Sequence, residues 1–499
     1  MAQYLTPGVY IEDINQIVDM PVGTDPTAAF LGIAKTGAVG KPVLIESWNA
    51  FLSEYATGQD TAFLTDSYLA YAVYGFFQNG GKKCYIIRVT DADVTGNTLT
   101  YKAKSALSSG AEQGEALILK EGIFTAKSEG IWGNNLKIET SIVDSDTNTF
   151  SLSVSYNGIV VESWSNLKNT ASTKGCFAEV INSESKYITV RELNYTFIKG
   201  TGGFTFTFSG GDDGMAQHGE PVPNTVYENT LKELDFYEEI RLVAIPGADK
   251  DLQTKVAEYC TDHKYRIAIC EGLETSTNEN LLELRSMLSN LNAILYSNWI
   301  KVVNPNSSTS ENLISVPACG HICGVISRIS DSRGFWKVPA GTEANIRGAV
   351  AVTRILTQAQ TDILNPKGIN AIIPKTNSGI CIWGARSCNP NFTYFSDLYM
   401  NITLKKNLYD LTQKYVFEPH DSVLWEKVKT TCQDYLNSLY QQGALFGGSS
   451  KEAYYVKCDE ELNPISVRNQ GKLICEIGYA VKKPAEFIVF RISHELTIA

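Results

Sequence analysis

Residues 478–492 read Gly478-Tyr479-Ala480-Val481-Lys482-Lys483-Pro484-Ala485-Glu486-Phe487-Ile488-Val489-Phe490-Arg491-Ile492. The apolar and β-branched side chains after Pro484 predict a strand from Phe487 to Ile492, and no neighbouring segment offers this strand an obvious partner. Such a strand has a row of backbone donors and acceptors that must be paired, and another chain can pair them. The segment therefore indicates assembly rather than catalysis.

Upstream of this segment, the C-terminal third has the pattern of a small α+β domain. A long amphipathic helix is predicted from Ser422 to about Gly443, with Asp421 or Ser422 as its N-cap and Gly443 as its end. One face of this helix is apolar and is expected to pack against the domain core. The apolar face consists of Val423, Trp425, Val428, Cys432, Tyr435, Leu436 and Leu439. The polar face has no assigned role.

Several sequence blocks in this domain resemble the C-terminal domain of contractile tail sheath proteins. They are Phe417-Glu418-Pro419-His420-Asp421, Gly443-Ala444-Leu445-Phe446-Gly447, Tyr455-Val456-Lys457-Cys458-Asp459 and Pro484-Ala485-Glu486-Phe487-Ile488. The N-terminal part is similar to the same family in the blocks Leu5-Thr6-Pro7-Gly8-Val9-Tyr10-Ile11-Glu12, Val22-Gly23-Thr24, Phe30-Leu31-Gly32 and Cys84-Tyr85-Ile86-Ile87-Arg88-Val89. The blocks occur in one order, whereas residues from about 100 to 215 resemble the family mainly in placement.

The resemblance implies a structural subunit of a contractile sheath, similar to those of tailed bacteriophages, phage-tail-like bacteriocins and contractile injection particles. Such a sheath is a helical homo-oligomer, expected here as stacked six-fold rings, around an inner tube protein. Baseplate and tail terminator proteins are further expected partners, and contraction drives the tube through a target cell envelope. We expect assembly in a bacterial host cytoplasm, followed by incorporation into a virion tail or a released phage-tail-like particle.

Subunits are expected to be linked by exchange of terminal β-strands, each added to a sheet in the C-terminal domain of a neighbour. The exchanged residues are expected to be Val9, Tyr10 and Ile11 in an N-terminal arm and Phe487, Ile488, Val489, Phe490 and Ile492 in the C-terminal strand. Asp19-Met20-Pro21 and Lys482-Lys483-Pro484 have the composition of hinges. The alternative is a non-contractile, self-assembling surface-lattice protein that shares only the exchange of strands.

The resemblance implies a tube contact in the C-terminal domain but assigns it to no individual residue. Five basic residues have two open interpretations, either surface charge or a lining that faces an acidic tube. They are Lys367, Lys375, Arg386, Lys405 and Lys406. The tube-contacting residues are therefore left unassigned.

The rest of the chain predicts an α/β core interrupted by a β-rich insertion. Strands predicted at 27–33, 83–89, 240–247, 265–270 and 293–296 alternate with helices, which favours a parallel α/β layer. Between about 100 and 215 the residues alternate with period two, and Asn157-Gly158 is a hairpin turn signal. Ser209-Gly210-Gly211-Asp212-Asp213-Gly214 is interpreted as a linker, since the segment lacks the lysine of a phosphate loop and the ligand spacing of a calcium loop.

A chain of 499 residues exceeds the usual size of one core, so several domains are expected. The fold class is α/β and α+β multidomain, with a C-terminal domain completed by strands exchanged between subunits. The expected divisions are an N-terminal arm at 1–20, the first part of the α/β core at 21–100, a β-rich, outward-projecting insertion at 101–215, the second part of the core at 216–365, the C-terminal sheath domain at 366–483 and a C-terminal strand arm at 484–499.

Composition argues against several other functions. The net charge of −11 and the absence of a basic stripe argue against nucleic acid as a partner. No apolar run reaches the roughly 20 residues that span a bilayer, so membrane insertion is not expected, and Met1-Ala2-Gln3-Tyr4 lacks the features of a signal peptide. The 11 cysteines are scattered without repeated spacing, which favours reduced and mostly buried thiols.

No catalytic, cofactor or metal site is predicted. The histidines lie in no recognised catalytic motif, and no Gly-x-Gly-x-x-Gly follows the predicted strands. An α/β enzyme with a β insertion stays open as a third interpretation, to be tested by a polar pocket at the strand ends. Cys319-Gly320-His321-Ile322-Cys323 contains three potential zinc ligands, but a structural zinc site needs a second ligand pair, so we interpret the segment as a packed helix or turn.

Overall fold

A computed structural model of the chain describes residues 26–486, apart from 58–60, 66, 96–97, 111–123, 142, 145, 169–174, 192–202, 204, 215–221, 264, 308 and 310–311. The described residues fall into two units. The larger unit comprises residues 26–328 and 340–389, and the smaller unit comprises residues 329–339 and 390–486. Across the described ranges, no helix is both long enough and apolar enough to cross a membrane.

The larger unit contains a seven-stranded, mostly parallel sheet. Its strands are β1 (Thr27–Gly32), β2 (Val43–Ile45), β3 (Cys84–Arg88), β13 (Ile240–Ala244), β14 (Ile267–Glu271), β15 (Ala293–Tyr296) and β19 (Ile369–Asn370). The strand order is β19-β15-β14-β13-β1-β3-β2, and only the edge strand β2 runs antiparallel to its neighbour. Strands from before and after residues 101–215 thus pair within one sheet, because β1 lies between β3 and β13.

Eight helices carry residues of this unit. They are α1 (Trp48–Tyr55), α2 (Leu69–Gln78), α3 (Phe177–Glu184), α4 (Asn224–Leu231), α5 (Lys250–Asp262), α6 (Asn278–Met287), α7 (Cys319–Arg333, of which 319–328 belong here) and α8 (Gln358–Leu364). Strand β1 is buried along its whole length because both faces of the sheet are covered. Phe30 contacts Phe76 of α2, whereas Ala29 and Leu31 join the apolar cluster that contains Val256 of α5.

A second seven-stranded sheet, antiparallel throughout, is built from residues 105–209. Its strands are β6 (Ser105–Gly110), β7 (Phe124–Glu129), β8 (Leu136–Thr140), β9 (Thr149–Tyr156), β10 (Ile159–Lys168), β11 (Ile188–Val190) and β12 (Thr205–Ser209), in the order β10-β9-β8-β12-β6-β7-β11. Asn157 and Gly158 form the predicted two-residue turn, with φ angles of 50° and 80°. Phe177 and Ile181 of α3 are buried in the separate apolar core of this sheet.

Three smaller sheets complete the larger unit. They are formed by β4 (Ala92–Thr95) with β5 (Thr98–Tyr101), by β16 (Ile300–Val303) between β17 (Leu313–Val316) and β18 (Ala349–Val352), and by β20 (Ile372–Lys375) with β21 (Gly379–Ile382). All the described pairings in these sheets are antiparallel. The predicted linker at 209–214 is fixed against this unit, since Asp212 and Lys104 exchange backbone hydrogen bonds of 3.0 and 3.3 Å.

The smaller unit consists of helices and one antiparallel pair of short strands. Its elements are α9 (Phe395–Thr412), α10 (Ser422–Gln441), α11 (Ser450–Ala453), β22 (Tyr454–Lys457), α12 (Ile465–Arg468) and β23 (Glu476–Tyr479). The pair of β22 and β23 is called the hairpin below, although α12 lies in the connection between them. Helix α10 is confirmed as a core-packing helix. The Asp421 side chain caps it by accepting a hydrogen bond from the Leu424 amide at 2.9 Å, and Gly443 follows its end with a φ of 75°.

The prediction that Val423 belongs to the core-packing face of α10 was wrong. Val423 is 59% exposed, whereas its neighbour Leu424 is buried with Val428, Leu436 and Leu439. In the first turn of α10, the domain core covers the Leu424 side chain and leaves the Val423 side chain exposed. Val423 therefore remains an uncovered apolar side chain.

Candidate assembly surface

The hairpin of β22 and β23 is a sheet that has room for further strands. Tyr454 pairs with Tyr479 and Lys457 pairs with Glu476, in an antiparallel register without irregularity. Within the described residues the sheet contains only these two strands, so no third strand pairs with either of them. A two-stranded sheet is marginal in water and needs other support. The backbone N–H and C=O groups along its outer edges can pair with a strand from another chain.

Helix α10 and the segments next to the hairpin supply that support. Val456 of β22 belongs to the same buried cluster as Leu436 and Leu439 of α10. Beyond β23 the chain continues as a bridge between Val481 and Leu445, with the Phe446 amide donating to the Ala480 carbonyl at 3.0 Å. These contacts hold the hairpin in place before any partner binds. A fixed edge loses little conformational entropy when a strand is added.

Asn463 fixes the far end of the same hairpin. Its side chain is fully buried, and its Nδ2 donates to the carbonyl oxygens of Asp459 at 3.0 Å and Ile474 at 2.9 Å. Its Oδ1 accepts a hydrogen bond from the Ile474 amide at 2.7 Å. One amide group therefore ties together the chain that leaves β22 and the chain that enters β23.

The smaller unit also exposes large apolar side chains. They are Phe417 (86% exposed), Ile465 (68%), Phe446 (66%), Val423 (59%), Tyr455 (47%) and Ile474 (42%). Phe417 has a φ of 72°, which is a rare and strained backbone conformation for an aromatic residue. Tyr455 lies on the hairpin itself, and its hydroxyl donates to Glu476 Oε1 at 2.7 Å. Exposed apolar groups of this size are typical of interaction surfaces.

The predicted strand-exchange residues lie outside the described part of the chain. This applies to Val9, Tyr10 and Ile11 and equally to Phe487, Ile488, Val489, Phe490 and Ile492. Their pairing with a neighbouring subunit therefore stays a prediction. Of the two predicted hinges, Asp19-Met20-Pro21 lies outside the described residues, and Lys482 donates a hydrogen bond to the Gly443 carbonyl.

The basic residues considered for a tube contact are divided between the two units: Lys367, Lys375 and Arg386 lie in the larger unit, and Lys405 and Lys406 lie in the smaller unit. Lys406 is only 7% exposed and forms an ion pair with Asp410 one helical turn later. The ammonium group of Lys375 lies 3.6 Å from the centre of the Trp383 ring. The tube contact stays unassigned.

The segment 319–323 is a buried helix that packs through small residues, as predicted. A Cβ atom added to Gly320 would lie 2.2 Å from the Ala72 carbonyl oxygen of α2, and one added to Gly324 would lie 2.4 Å from that of Phe76. The absence of side chains thus allows α7 to lie directly against α2. Among the described residues, no group of three or more His, Cys, Asp or Glu side chains is arranged to hold a metal ion.

A buried carboxylate, which the sequence analysis did not identify, lies at the start of α7. Glu271 Oε2 accepts hydrogen bonds from the amides of Ala318 at 2.7 Å and Cys319 at 3.0 Å, which satisfies two free donors at this helix end. Burial raises the pKa of Glu271 to about 7, and burial lowers the pKa of His321 to about 4. Both groups are structural components of the packed core.

Two family models match adjoining parts of the chain, from residue 221 to residue 495. The phage tail sheath protein central domain matches residues 221–388, and the phage tail sheath C-terminal domain matches residues 388–495. Together they cover more than half of the chain. The chain belongs to the phage tail sheath family. A curated relative, the tail sheath protein of Burkholderia phage BcepMu, is 23% identical over 186 residues, and the match spans 35% of this chain and 37% of the relative's length.

Solved structures share the fold along nearly the whole chain. The helical sheath of the anti-feeding prophage in its contracted state is 19% identical with a TM-score of 0.60, over 99% of this chain and 100% of that one. The PVC sheath complex of an extracellular contractile injection system, also contracted, is 18% identical with a TM-score of 0.57, over 99% of each chain. The mixed α/β multidomain fold predicted from the sequence is confirmed.

Proposed function

We propose that the chain is the structural subunit of a contractile sheath, which polymerises helically around an inner tube and contracts to drive that tube through a target cell envelope. The observation that carries the proposal is the fold, which this chain shares over 99% of its length with a helical sheath in its contracted state. A role in assembly also explains the open hairpin and the exposed apolar residues of the smaller unit. The proposed role is structural and not enzymatic.

Neighbouring subunits are linked by exchanged β-strands in this proposal. The N-terminal arm around Tyr10 and the C-terminal strand from Phe487 to Ile492 add to the sheet of β22 and β23 in neighbouring copies. Backbone hydrogen bonds form the link, so it is insensitive to how the α/β cores are packed. The cores can therefore rotate and slide between two packings while the subunits remain joined.

Contraction in this scheme draws on energy stored during assembly. An extended sheath held by its tube and baseplate is metastable, and contraction buries additional surface between subunits. Each buried Å² of apolar surface contributes roughly 25 cal/mol. Because every subunit in the polymer contributes, modest new contacts per subunit sum to a large driving force. No nucleotide is required.

The proposed partners follow from the same role. They are further copies of this chain in stacked six-fold rings, the inner tube protein, and baseplate and tail terminator proteins at the two ends. Assembly takes place in a bacterial host cytoplasm, and the product is a virion tail or a released phage-tail-like particle. The non-contractile surface lattice is disfavoured, because the shared fold is that of sheaths described in a contracted state.

Electron microscopy of the purified chain tests the proposal. Negative staining is expected to show tubes for the full chain, and only monomers for truncations that start at Asp25 or end at Lys483. Val489→Pro is expected to abolish tubes, because proline removes a backbone donor from the strand, whereas Val489→Ala preserves the backbone and the tubes. Globular monomers of the full chain at high concentration would overturn the proposal.

A further inference from the structure

Three cysteines meet where the hairpin of β22 and β23 rests on α10. Cys458 follows β22 directly, Cys475 precedes β23 directly, and Cys432 lies on the buried face of α10. Cys432 and Cys458 are buried, with exposures of 2% and 4%, whereas Cys475 is partly exposed. All three thiols are free in the described structure. Cys475 is therefore the least buried of the three residues.

The register of the hairpin places Cys458 opposite Cys475. The ladder ends with the pair Lys457 and Glu476, and the residue that follows Lys457 and the residue that precedes Glu476 are both cysteines, so an extension of the register would set them opposite each other. Directly opposed residues in such a ladder have Cα atoms about 4.5 to 5.5 Å apart, which lies inside the range of about 4.4 to 6.8 Å that a disulfide spans. Asn463 holds the next residue on each side, Asp459 and Ile474, by hydrogen bonds of 3.0 and 2.9 Å. The two cysteines are held in place without a covalent bond.

We propose that Cys458 and Cys475 are a redox-active pair that forms a disulfide when the assembled protein leaves a reducing cytoplasm. The oxidant is a low-molecular-weight disulfide such as oxidised glutathione. The hairpin is reduced while subunits assemble and becomes covalently closed in the released particle. The timing of oxidation, after assembly and release, rests on the proposed sheath role, whereas disulfide formation by the pair does not depend on that role.

The reaction consists of two thiol–disulfide exchanges. Cys475, the least buried of the three, reacts first: its thiol loses a proton, which its raised pKa makes the slow step, and the thiolate attacks one sulfur of oxidised glutathione; the first glutathione leaves as a thiolate and takes up that proton. The Cys458 sulfur then attacks the Cys475 sulfur of the mixed disulfide, and the second glutathione leaves with the proton of Cys458. Two protein thiols are oxidised to one disulfide, and one oxidised glutathione is reduced to two glutathione molecules.

The contacts among the three sulfurs favour the second exchange. The Cys475 thiol hydrogen-bonds to the sulfurs of Cys432 and Cys458, which lowers the pKa of both acceptors and raises the pKa of Cys475. A lower pKa gives Cys458 more thiolate character, and the thiolate is the nucleophile. Cys432 lies on a helix rather than on the ladder, so its approach to Cys475 is not fixed by the strand register.

Mass spectrometry of the full chain tests the proposal. The reduced protein is incubated with oxidised glutathione, blocked with an alkylating agent and digested without reduction. We expect one linked peptide pair containing Cys458 and Cys475, no stable glutathione adduct on wild type, and an increase in the Tm of the smaller unit by roughly 5 °C or more. Absence of this linked pair, or a pair that joins Cys475 to Cys432 in the wild type, would overturn the proposal.

Cysteine-to-serine variants distinguish the reaction of Cys458 and Cys475 from any reaction of the other thiols. Cys458→Ser is expected to accumulate a glutathione adduct on Cys475, whereas Cys432→Ser and the control Cys176→Ser are expected to form the disulfide at the wild-type rate. Cys176 is a buried cysteine in the larger unit. Disulfide formation by Cys458→Ser at the wild-type rate would contradict the assignment. The wild-type peptide map decides the question even if a variant fails to fold.

Discussion

Arg88 connects three segments of the larger unit through a single buried side chain. Its Nη1 donates to the carbonyl oxygens of Gly37 at 2.8 Å and Glu129 at 2.7 Å, and its Nη2 lies 3.9 Å from Asp213 Oδ1. Burial lowers the pKa of this guanidinium to about 10, so it stays charged at neutral pH. Arg88 thus joins the end of β3 to the loop between β1 and β2, to the end of β7 and to the segment after β12.

Replacing Arg88 by methionine tests this role. The Gly37 carbonyl and Asp213 lose this partner, and the Glu129 carbonyl keeps the hydrogen bond from Trp132 Nε1, so Arg88→Met is expected to lower the free energy of unfolding by about 3 kcal/mol. Urea denaturation followed by circular dichroism measures the change. Lys255→Met is the control, because Lys255 pairs with Glu258 on the surface and its removal is expected to leave the midpoint nearly unchanged. Equal midpoints for the two variants would contradict the account.

Glu271 makes stability depend on pH. Its pKa is about 7 in the folded chain and about 4.5 in the unfolded chain, so the folded state binds the proton more tightly. The stabilisation is fully present below about pH 4.5 and is lost as the pH rises through about 7, with an upper size of about 3 kcal/mol. Glu271→Gln removes this titration and is expected to flatten the dependence.

Urea midpoints at about pH 5 and about pH 8 measure this effect. His321, whose pKa is lowered to about 4, acts in the opposite direction over part of the same range. For this reason the informative quantity is the difference between wild type and Glu271→Gln at each pH. A difference that does not change with pH would show that Glu271 does not titrate in this range.

The residues that matter most for these predictions could not be found from the sequence. Arg88 and Gly37 are 51 positions apart, and Glu271 and Ala318 are 47 positions apart. Charged residues at the ends of apolar strands look like ordinary strand boundaries in the sequence. Their burial follows from tertiary packing, which places distant backbone groups beside them, and no local pattern encodes that contact.

At the scale of elements, the close packing of α7 on α2 depends on glycine. Alanine normally stabilises a helix relative to glycine by about 1 kcal/mol. At Gly320, however, a Cβ atom would lie 2.2 Å from a backbone oxygen of α2, which cannot move aside as a side chain can. Gly320→Ala is therefore expected to destabilise the larger unit by roughly 1 to 3 kcal/mol.

Thermal unfolding compares Gly320→Ala with Gly448→Ala. At Gly448 an added Cβ would meet only the carboxylate end of Glu452, at 3.2 Å, and that side chain can rotate away. We expect a clear fall in Tm for the first variant and little change for the second. A Tm for Gly320→Ala at or above that of the wild type would contradict the packing described for α2 and α7.

The hydrophobic periodicity of each element determines whether it could be predicted from the sequence. The parallel strands and α5 were predictable, because buried apolar runs and one-sided helices leave clear patterns. Helix α9 was missed: its residues from Phe395 to Leu404 are buried without interruption, so it has no polar face and no helical period. The strands between 300 and 352 were missed because they are short and only partly buried, whereas all four residues of the predicted strand β15 are buried.

At the scale of the whole molecule, a polymer requires a link that survives movement of the cores. The open hairpin of β22 and β23, with its fixed inner face, is the described element that suits such a link. The exchanged strands were predicted from sequence at 9–11 and 487–492, outside the described residues. The sequence predicts these segments as the donor strands, and we propose the hairpin as their acceptor.

The central claim is that strands from neighbouring copies complete this hairpin, and a helical reconstruction by cryo-electron microscopy of tubes formed by the full chain measures it directly. The expected result is density for residues around Tyr10 and Val489 of neighbouring copies that continues the sheet beside β22 or β23. A sheet that remains two-stranded, or is completed only by its own chain, in well-ordered tubes would contradict it.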